Sequence, residues 1–274
     1  MRSIDLPGDV MRSIDELSSD VARAIDGVVF DVDDTLTAGG VLEEEAYAAL
    51  FRLREAGLSR IAVTGRPLGW MEPLALLWPV DLAVGENGAG WLWREGRIAR
   101  EGFFSESGGD EVLADVLAEV RAKVASEMPH VREAADQRLR RRDLAYDVGE
   151  TVRLPERDVA RLVAIIEACG ARAVVSTVHA HAMPGGWDKA CGTARAASAV
   201  LGIGETQLRE RYLFVGDSGN DAAAFAFFAH TAGVANVRDH LGALPIAPRW
   251  VAREARGRGF AEIVATLLAR RAGA

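Results

Sequence analysis

Two rhythms of apolar and polar residues alternate along the chain. Short, wholly apolar runs suit strands buried on both faces, and longer stretches with apolar residues every three or four positions suit helices with one buried face. Runs at 28–30, 61–63, 82–84 and 212–215 predict strands, with shorter candidates at 233–235 and 250–251. Helices are predicted at 14–25, 42–56, 189–201, 222–229 and 260–271. In the second of these, Ala46, Leu50 and Leu53 share a face and Gly57 stops the helix. Strand, helix and strand in alternation predict an α/β fold around a parallel, Rossmann-like sheet.

The middle of the chain departs from that pattern. Residues 102–110 are rich in glycine, serine and acid and read as a linker. Helices at 111–128 and 155–169, and strands at 137–148, 171–178 and 179–183, make a small α+β unit that Pro184-Gly185-Gly186 closes. The expected division is a parallel-sheet core, residues 1–103 and 185–274, interrupted by an insert at 104–184. At 81 residues the insert is too long for a surface loop.

Composition narrows the classes. Of 274 residues, 49% are apolar and 26% charged, enough for a substantial core. A net charge of −8 argues against non-specific nucleic-acid binding. No apolar run is long enough to span a bilayer, and no secretory signal is visible, so no membrane partner is expected. Two cysteines, Cys169 and Cys191, fit a reducing cytoplasm. The pentapeptide Met-Arg-Ser-Ile-Asp stands at both residue 1 and residue 11, which reads as a duplicated translation start.

Four segments carry candidate chemistry. Asp31-Val32-Asp33-Asp34-Thr35 follows a predicted strand directly. Ligands in open α/β sheets bind outside the carboxyl ends of strands. Crowded carboxylates there need a cation or a shared proton, and a hard dication prefers oxygen ligands. The alternative is an acidic turn that caps a helix. Gly216-Asp217-Ser218-Gly219-Asn220-Asp221 follows a second strand, and it could equally be a turn in which Asp221 caps the next helix. Thr64-Gly65 ends a third strand, where a hydroxyl and an N–H could hold a phosphate oxygen. Lys189 opens a helix, which suits an anion, and Lys123 is the only other lysine.

In this order the segments resemble the haloacid dehalogenase superfamily of phosphotransferases. Asp31, Asp33 and Thr35 match its DxDxT motif, Thr64 its second motif, Lys189 its lone lysine and residues 216–221 its GDxxND motif. The insert and Glu86-Asn87-Gly88-Ala89 resemble the type IIB cap group, which includes Cof-like and sugar-phosphate phosphatases. Gly186-Trp187-Asp188-Lys189 also resembles a phosphomannomutase segment. The resemblance implies a haloacid dehalogenase core with an inserted C2B-type cap. It implies a Mg²⁺-dependent hydrolase of small sugar or polyol phosphates, acting through an aspartyl-phosphate. Asp31 would be the nucleophile and Asp33 the general acid and base. Thr64, Gly65, Lys189 and Asn220 would bind phosphate, and Asp31, Asp33, Asp217 and Asp221 the metal. Asp34 is left as a bystander. A phosphomutase and a non-catalytic binding module are the alternatives.

Three weaker signals concern substrate. Arg66 adjoins the second motif. His179 and His181 alternate on one predicted strand, so their side chains point the same way and could meet substrate hydroxyls. Arg138, Arg140, Arg141 and Arg142 form a basic run that suits either a second anion or a solvated strand face.

Overall fold

A computed structural model describes residues 11–104 and 109–273. The first copy of the repeated pentapeptide and residues 105–108 of the expected linker lie outside the described residues. In chain order the elements are β1 (Arg12–Ser13), α1 (Ser19–Ala24), β2 (Gly27–Phe30), β3 (Thr37–Ala38), β4 (Val41–Leu42), α2 (Glu44–Glu55), β5 (Ser59–Val63), α3 (Leu68–Leu77) and β6 (Leu82–Gly85). Then come β7 (Gly90–Glu95), β8 (Ile98–Phe103), α4 (Gly109–Glu127), β9 (Leu144–Asp147), α5 (Glu156–Ala168), β10 (Arg172–Val175) and β11 (His179–Met183). The chain ends with α6 (Lys189–Leu201), α7 (Glu205–Arg211), β12 (Tyr212–Gly216), α8 (Ala222–Phe227), β13 (His230–Gly233), β14 (Trp250–Val251) and α9 (Arg256–Ala272).

A nine-stranded sheet runs in the order β1-β14-β13-β12-β2-β5-β6-β7-β8. Pairing is parallel from β1 to β6, and β7 and β8 add an antiparallel edge. Alternation along β2 shows why its strands read as continuous apolar runs. Val28 and Phe30 enter one core, with residues of α2 and α9, while Val29 enters another, with Ala196 of α6 and Phe225 of α8. Both faces are covered, so no polar position interrupts the strand.

The insert has its own sheet, β10-β11-β9, antiparallel throughout. Val120, Val124, Leu162 and Ile166 of its helices pack on Leu144, Tyr146, Ala180 and Ala182. Ala180 and Ala182 thus spend one face of β11 on the insert's core, which leaves His179 and His181 on the other.

Several elements differ from the sequence pattern. The helix expected at 14–25 is split into a 3₁₀ turn at Ile14–Glu16 and α1, because the Ser18 side chain accepts from the Val21 N–H and starts a new helix. The strand expected at 137–148 shrinks to β9, after a 3₁₀ turn at Gln137–Leu139. The expected linker is a strand as far as Phe103. Helix α3 was hidden by its apolar composition and by Pro73 within it. Among the described residues, no helix is long and apolar enough to cross a membrane.

Candidate active site

Register brings three strand ends together. Phe30 pairs with Val215 on one side and with Ala62 on the other, so Asp31, Asp217 and Thr64 leave the sheet at its carboxyl edge. The Asp31 N–H donates to the Val215 carbonyl at 2.9 Å, extending the ladder by one bond. Helix α6 delivers Lys189 to the same edge. The Asp188 side chain caps that helix by accepting from the Cys191 N–H at 2.8 Å.

Lys189 Nζ lies 2.6 Å from Asp31 Oδ1 and 2.7 Å from Asp221 Oδ1. Asp31, Asp217 and Asp221 are all buried and offer carboxylate oxygens within 4.8 Å of one another. The other oxygen of Asp221 accepts from the N–H groups of Asp217 and Ser218 at 2.8 and 3.1 Å. Asp221 therefore caps the Gly219–Asp221 turn and holds the lysine, and makes no side-chain cap on α8. A side chain at Gly216 would collide with the Asp221 carboxylate, so the glycine is required for this approach.

One lysine cannot neutralise three buried carboxylates. Burial, then Asp221 and Asp33, pushes the Asp31 pKa up to about 7 against the pull of Lys189. Burial together with Asp31 and Asp221 raises Asp217 well above the carboxylate range. Lys189 is itself opposed by burial, but Asp221 and Asp31 outweigh it and hold the ammonium charged. Excess negative charge on convergent oxygens fits a hard dication. Asn236 belongs to this cluster, although the sequence reading missed it. Its Nδ2 donates to Asp217 Oδ2 at 2.9 Å and to the Asp34 carbonyl at 3.1 Å. The available signal was position, since Asn236 lies just beyond the end of the next parallel strand, β13.

Asp33 is paired with Arg66, whereas the lysine bonds Asp31 and Asp221. Arg66 holds Asp33 through Nε and Nη2, and the Thr64 hydroxyl donates to it at 3.4 Å. Arg66 Nη1 reaches Glu150 at 2.7 Å and Asp136 at 3.4 Å, both on the insert. The Arg66 guanidinium also lies 4.9 Å from the Trp70 ring centroid. It is thus engaged by three protein carboxylates in this arrangement. Asp34 has contacts of its own. It adopts φ +54°, and its carboxylate meets Arg256 and the Thr177 hydroxyl of the insert, each at 3.1 Å.

The insert closes over this edge. His179 Nε2 meets Glu150 at 2.9 Å, and His181 Nδ1 meets Asp143 at 2.8 Å. Of the basic run, Arg140 is buried, pairs with Asp143 at 3.0 Å and donates to the Gly65 carbonyl at 2.9 Å. Arg138 and Arg141 are exposed, so the run divides its labour and is not one anion site. Asn220 accepts from the Ser218 hydroxyl at 3.1 Å. A cavity of about 10 Å³, room for about one water, is left between Asp31, Asp33, Gly65, His181 and Asn220. Asp33 and the turn at 176–178 separate it from an open cleft of about 1070 Å³.

Residues 25–228 match the family model for haloacid dehalogenase-like hydrolases. The chain belongs to that family. No curated protein sequence matches it. Among solved structures, protein 0175 of Thermoplasma acidophilum is 20% identical with a TM-score of 0.66, over 89% of this chain and 98% of that one. The sucrose-phosphatase of Synechocystis sp. PCC6803, solved with sucrose and phosphate, is 16% identical with a TM-score of 0.63, over 89% and 98%. The subclass IIB sugar phosphatase BT4131 is 17% identical with a TM-score of 0.57, over 90% and 99%. These likenesses establish the fold, a haloacid dehalogenase core with an inserted α+β cap.

Proposed function

We propose that this chain is a Mg²⁺-dependent phosphomonoester hydrolase of small sugar or polyol phosphates, with residues 104–184 acting as its cap. The observation that carries the reading is the buried group formed by Asp31, Lys189, Asp217 and Asp221, with Asp33 two residues from the nucleophile. The names of the sucrose-phosphatase and the IIB sugar phosphatase support the substrate class.

Asp31 attacks phosphorus as the bond to the leaving oxygen breaks, giving an aspartyl-phosphate. Asp33 protonates the departing oxygen, then takes a proton from the water that hydrolyses the intermediate. Thr64, Gly65, Lys189 and Asn220 hold the phosphoryl oxygens. Mg²⁺ bound by Asp31, Asp217, Asp221 and the Asp33 carbonyl would screen the repulsion between nucleophile and phosphate. Residues 11–104 and 109–273 hold two free cysteines, one of them buried, which suits a cytoplasmic enzyme.

The test is phosphate release from a panel of phosphorylated metabolites. Asp31→Asn should abolish release while leaving the circular dichroism spectrum unchanged, and chelation should stop the wild type until Mg²⁺ is restored. Near-normal release by Asp31→Asn would sink the assignment. An isomeric sugar phosphate as product, in place of free phosphate, would indicate a mutase.

A further inference from the structure

His181 faces the small cavity at Asp31 and is held from one side of its ring. It is buried on β11, and its Nδ1 lies 2.8 Å from Asp143. Burial disfavours the Asp143 charge, but Arg140 and His181 outweigh it and keep the carboxylate ionised. An ionised carboxylate only accepts, so Nδ1 carries the proton and donates. Nε2 is then a bare lone pair. Burial keeps the ring neutral, pushing its pKa down to about 4.

The ring stands on a wall of the cavity that holds the reacting groups. His181 lines the same small cavity as Asp31 and Asp33. Its Nε2 stands 3.1 Å from the position a Cβ on Gly65 would take, so the missing side chain at Gly65 lets the ring approach. No hydrogen bond from the described residues reaches Nε2. Three other side-chain groups that the cap brings to this wall are engaged. His179 Nε2 is on Glu150, the Thr177 hydroxyl on Asp34, and Ser176 Oγ accepts from the N–H groups of Val178 and His179.

A lone pair repels the oxygens of a phosphate dianion and accepts from an O–H. The proposed reaction already assigns the water's proton to Asp33. We propose that His181 Nε2 accepts a hydrogen bond from a free hydroxyl on the leaving group, so that the enzyme selects phosphomonoesters of polyols over those of simple alcohols. Asp143 is the positioning residue that fixes the tautomer. The inference rests on the phosphatase reading and deepens it. A site built to bond a hydroxyl leaves a buried polar atom unpaired when the hydroxyl is missing, which is where discrimination arises.

Glycerol 3-phosphate and n-propyl phosphate differ only in hydroxyls and provide the test. The wild type should favour the first in kcat/KM by at least about tenfold. His181→Asn keeps a donor for Asp143 but cannot reach the Nε2 position, and it should reduce that preference to near one. His181→Gln places an amide oxygen near the lost acceptor and should recover part of it. Because both esters are read on one preparation, the ratio is independent of the folded fraction. A wild-type ratio near one, or a ratio unchanged in His181→Asn, overturns the inference and leaves the phosphatase reading standing. Equal losses on both esters would assign His181 to the water and overturn it also. Failure of the wild type to hydrolyse either ester overturns the phosphatase reading and the inference with it.

Discussion

Arg66 holds both oxygens of Asp33, with Nε 2.9 Å from Oδ1 and 3.1 Å from Oδ2 and with Nη2 2.8 Å from Oδ1. Its remaining amino group reaches Glu150 on the cap. The same planar cation therefore sets the orientation of the proposed general acid and ties it to cap position. We predict that Arg66→Lys, which keeps the charge but loses the fork, lowers kcat on the order of tenfold to a hundredfold. All esters should lose activity in the same proportion, because Asp33 serves every leaving group. Steady-state kinetics at saturating substrate decide the point, and a wild-type kcat in the lysine variant would refute it.

Glu86 shows a different link between core and cap. It is fully buried, and its carboxylate accepts from the N–H groups of Leu68, Arg141, Arg142 and Asp143 at 2.7 to 3.1 Å. The last three belong to the loop that carries Asp143 to His181. Glu86→Gln would turn an amide NH₂ toward N–H donors. We predict a destabilisation of roughly 1 to 3 kcal/mol, the cost of leaving a buried N–H donor without its acceptor. Amide exchange at Arg141, Arg142 and Asp143 should accelerate in the variant. Unchanged protection there would show that the loop is held by something else.

The legible parts of this fold were those in which one chain segment carries the whole signal. Strands β2, β5, β6 and β12 are buried on both faces, so each reads as an apolar run, and the polar residue that ends it marks the sheet edge. The acid-rich turns after β2 and β12 stood out for that reason. Asn236 has no motif around it, and only the strand order brings it to Asp217. Arg140 differs from Arg138 and Arg141 in being buried against Asp143 and the Gly65 carbonyl, and Gly65 is a partner far away in sequence that no charge run reveals. Glu86 could be read as a family signature, but its four N–H partners come from two separate segments.

The acidic cluster gives a prediction about metal that needs no turnover. Burial disfavours both Asp31 and Asp217 as carboxylates, and Asp221 adds to it at each. A dication that binds only the folded state should stabilise it, by about 2.7 kcal/mol at a hundred times its dissociation constant. We expect Mg²⁺ to raise the melting temperature of the wild type and to have little effect on Asp217→Ala. A magnesium shift of equal size in the alanine variant would move the site elsewhere.

His181 and Asp31 pull stability in opposite directions as pH changes, and separating them gives the last prediction. The unfolded histidine takes a proton near its ordinary value of 6.5, whereas burial delays protonation in the folded state to about 4. Between these values the unfolded chain binds more protons, so acid favours unfolding. The contribution of His181 is thus present above about pH 6.5 and is lost as pH falls toward 4. From about pH 7.5 to about pH 5 the linkage amounts to roughly 2 kcal/mol. Asp31 runs the other way. Its folded pKa is raised, so its penalty grows as pH rises from about 4 to about 7. The net profile of the wild type therefore hides both. The difference between wild type and His181→Asn does not, because Asp31 is common to the two and cancels. Urea unfolding without metal at the two pH values should show the wild type losing about 2 kcal/mol more than the variant on acidification. Parallel losses would mean that the ring is hydrated and charged in the folded state, and Nε2 would then be a donor facing the phosphate.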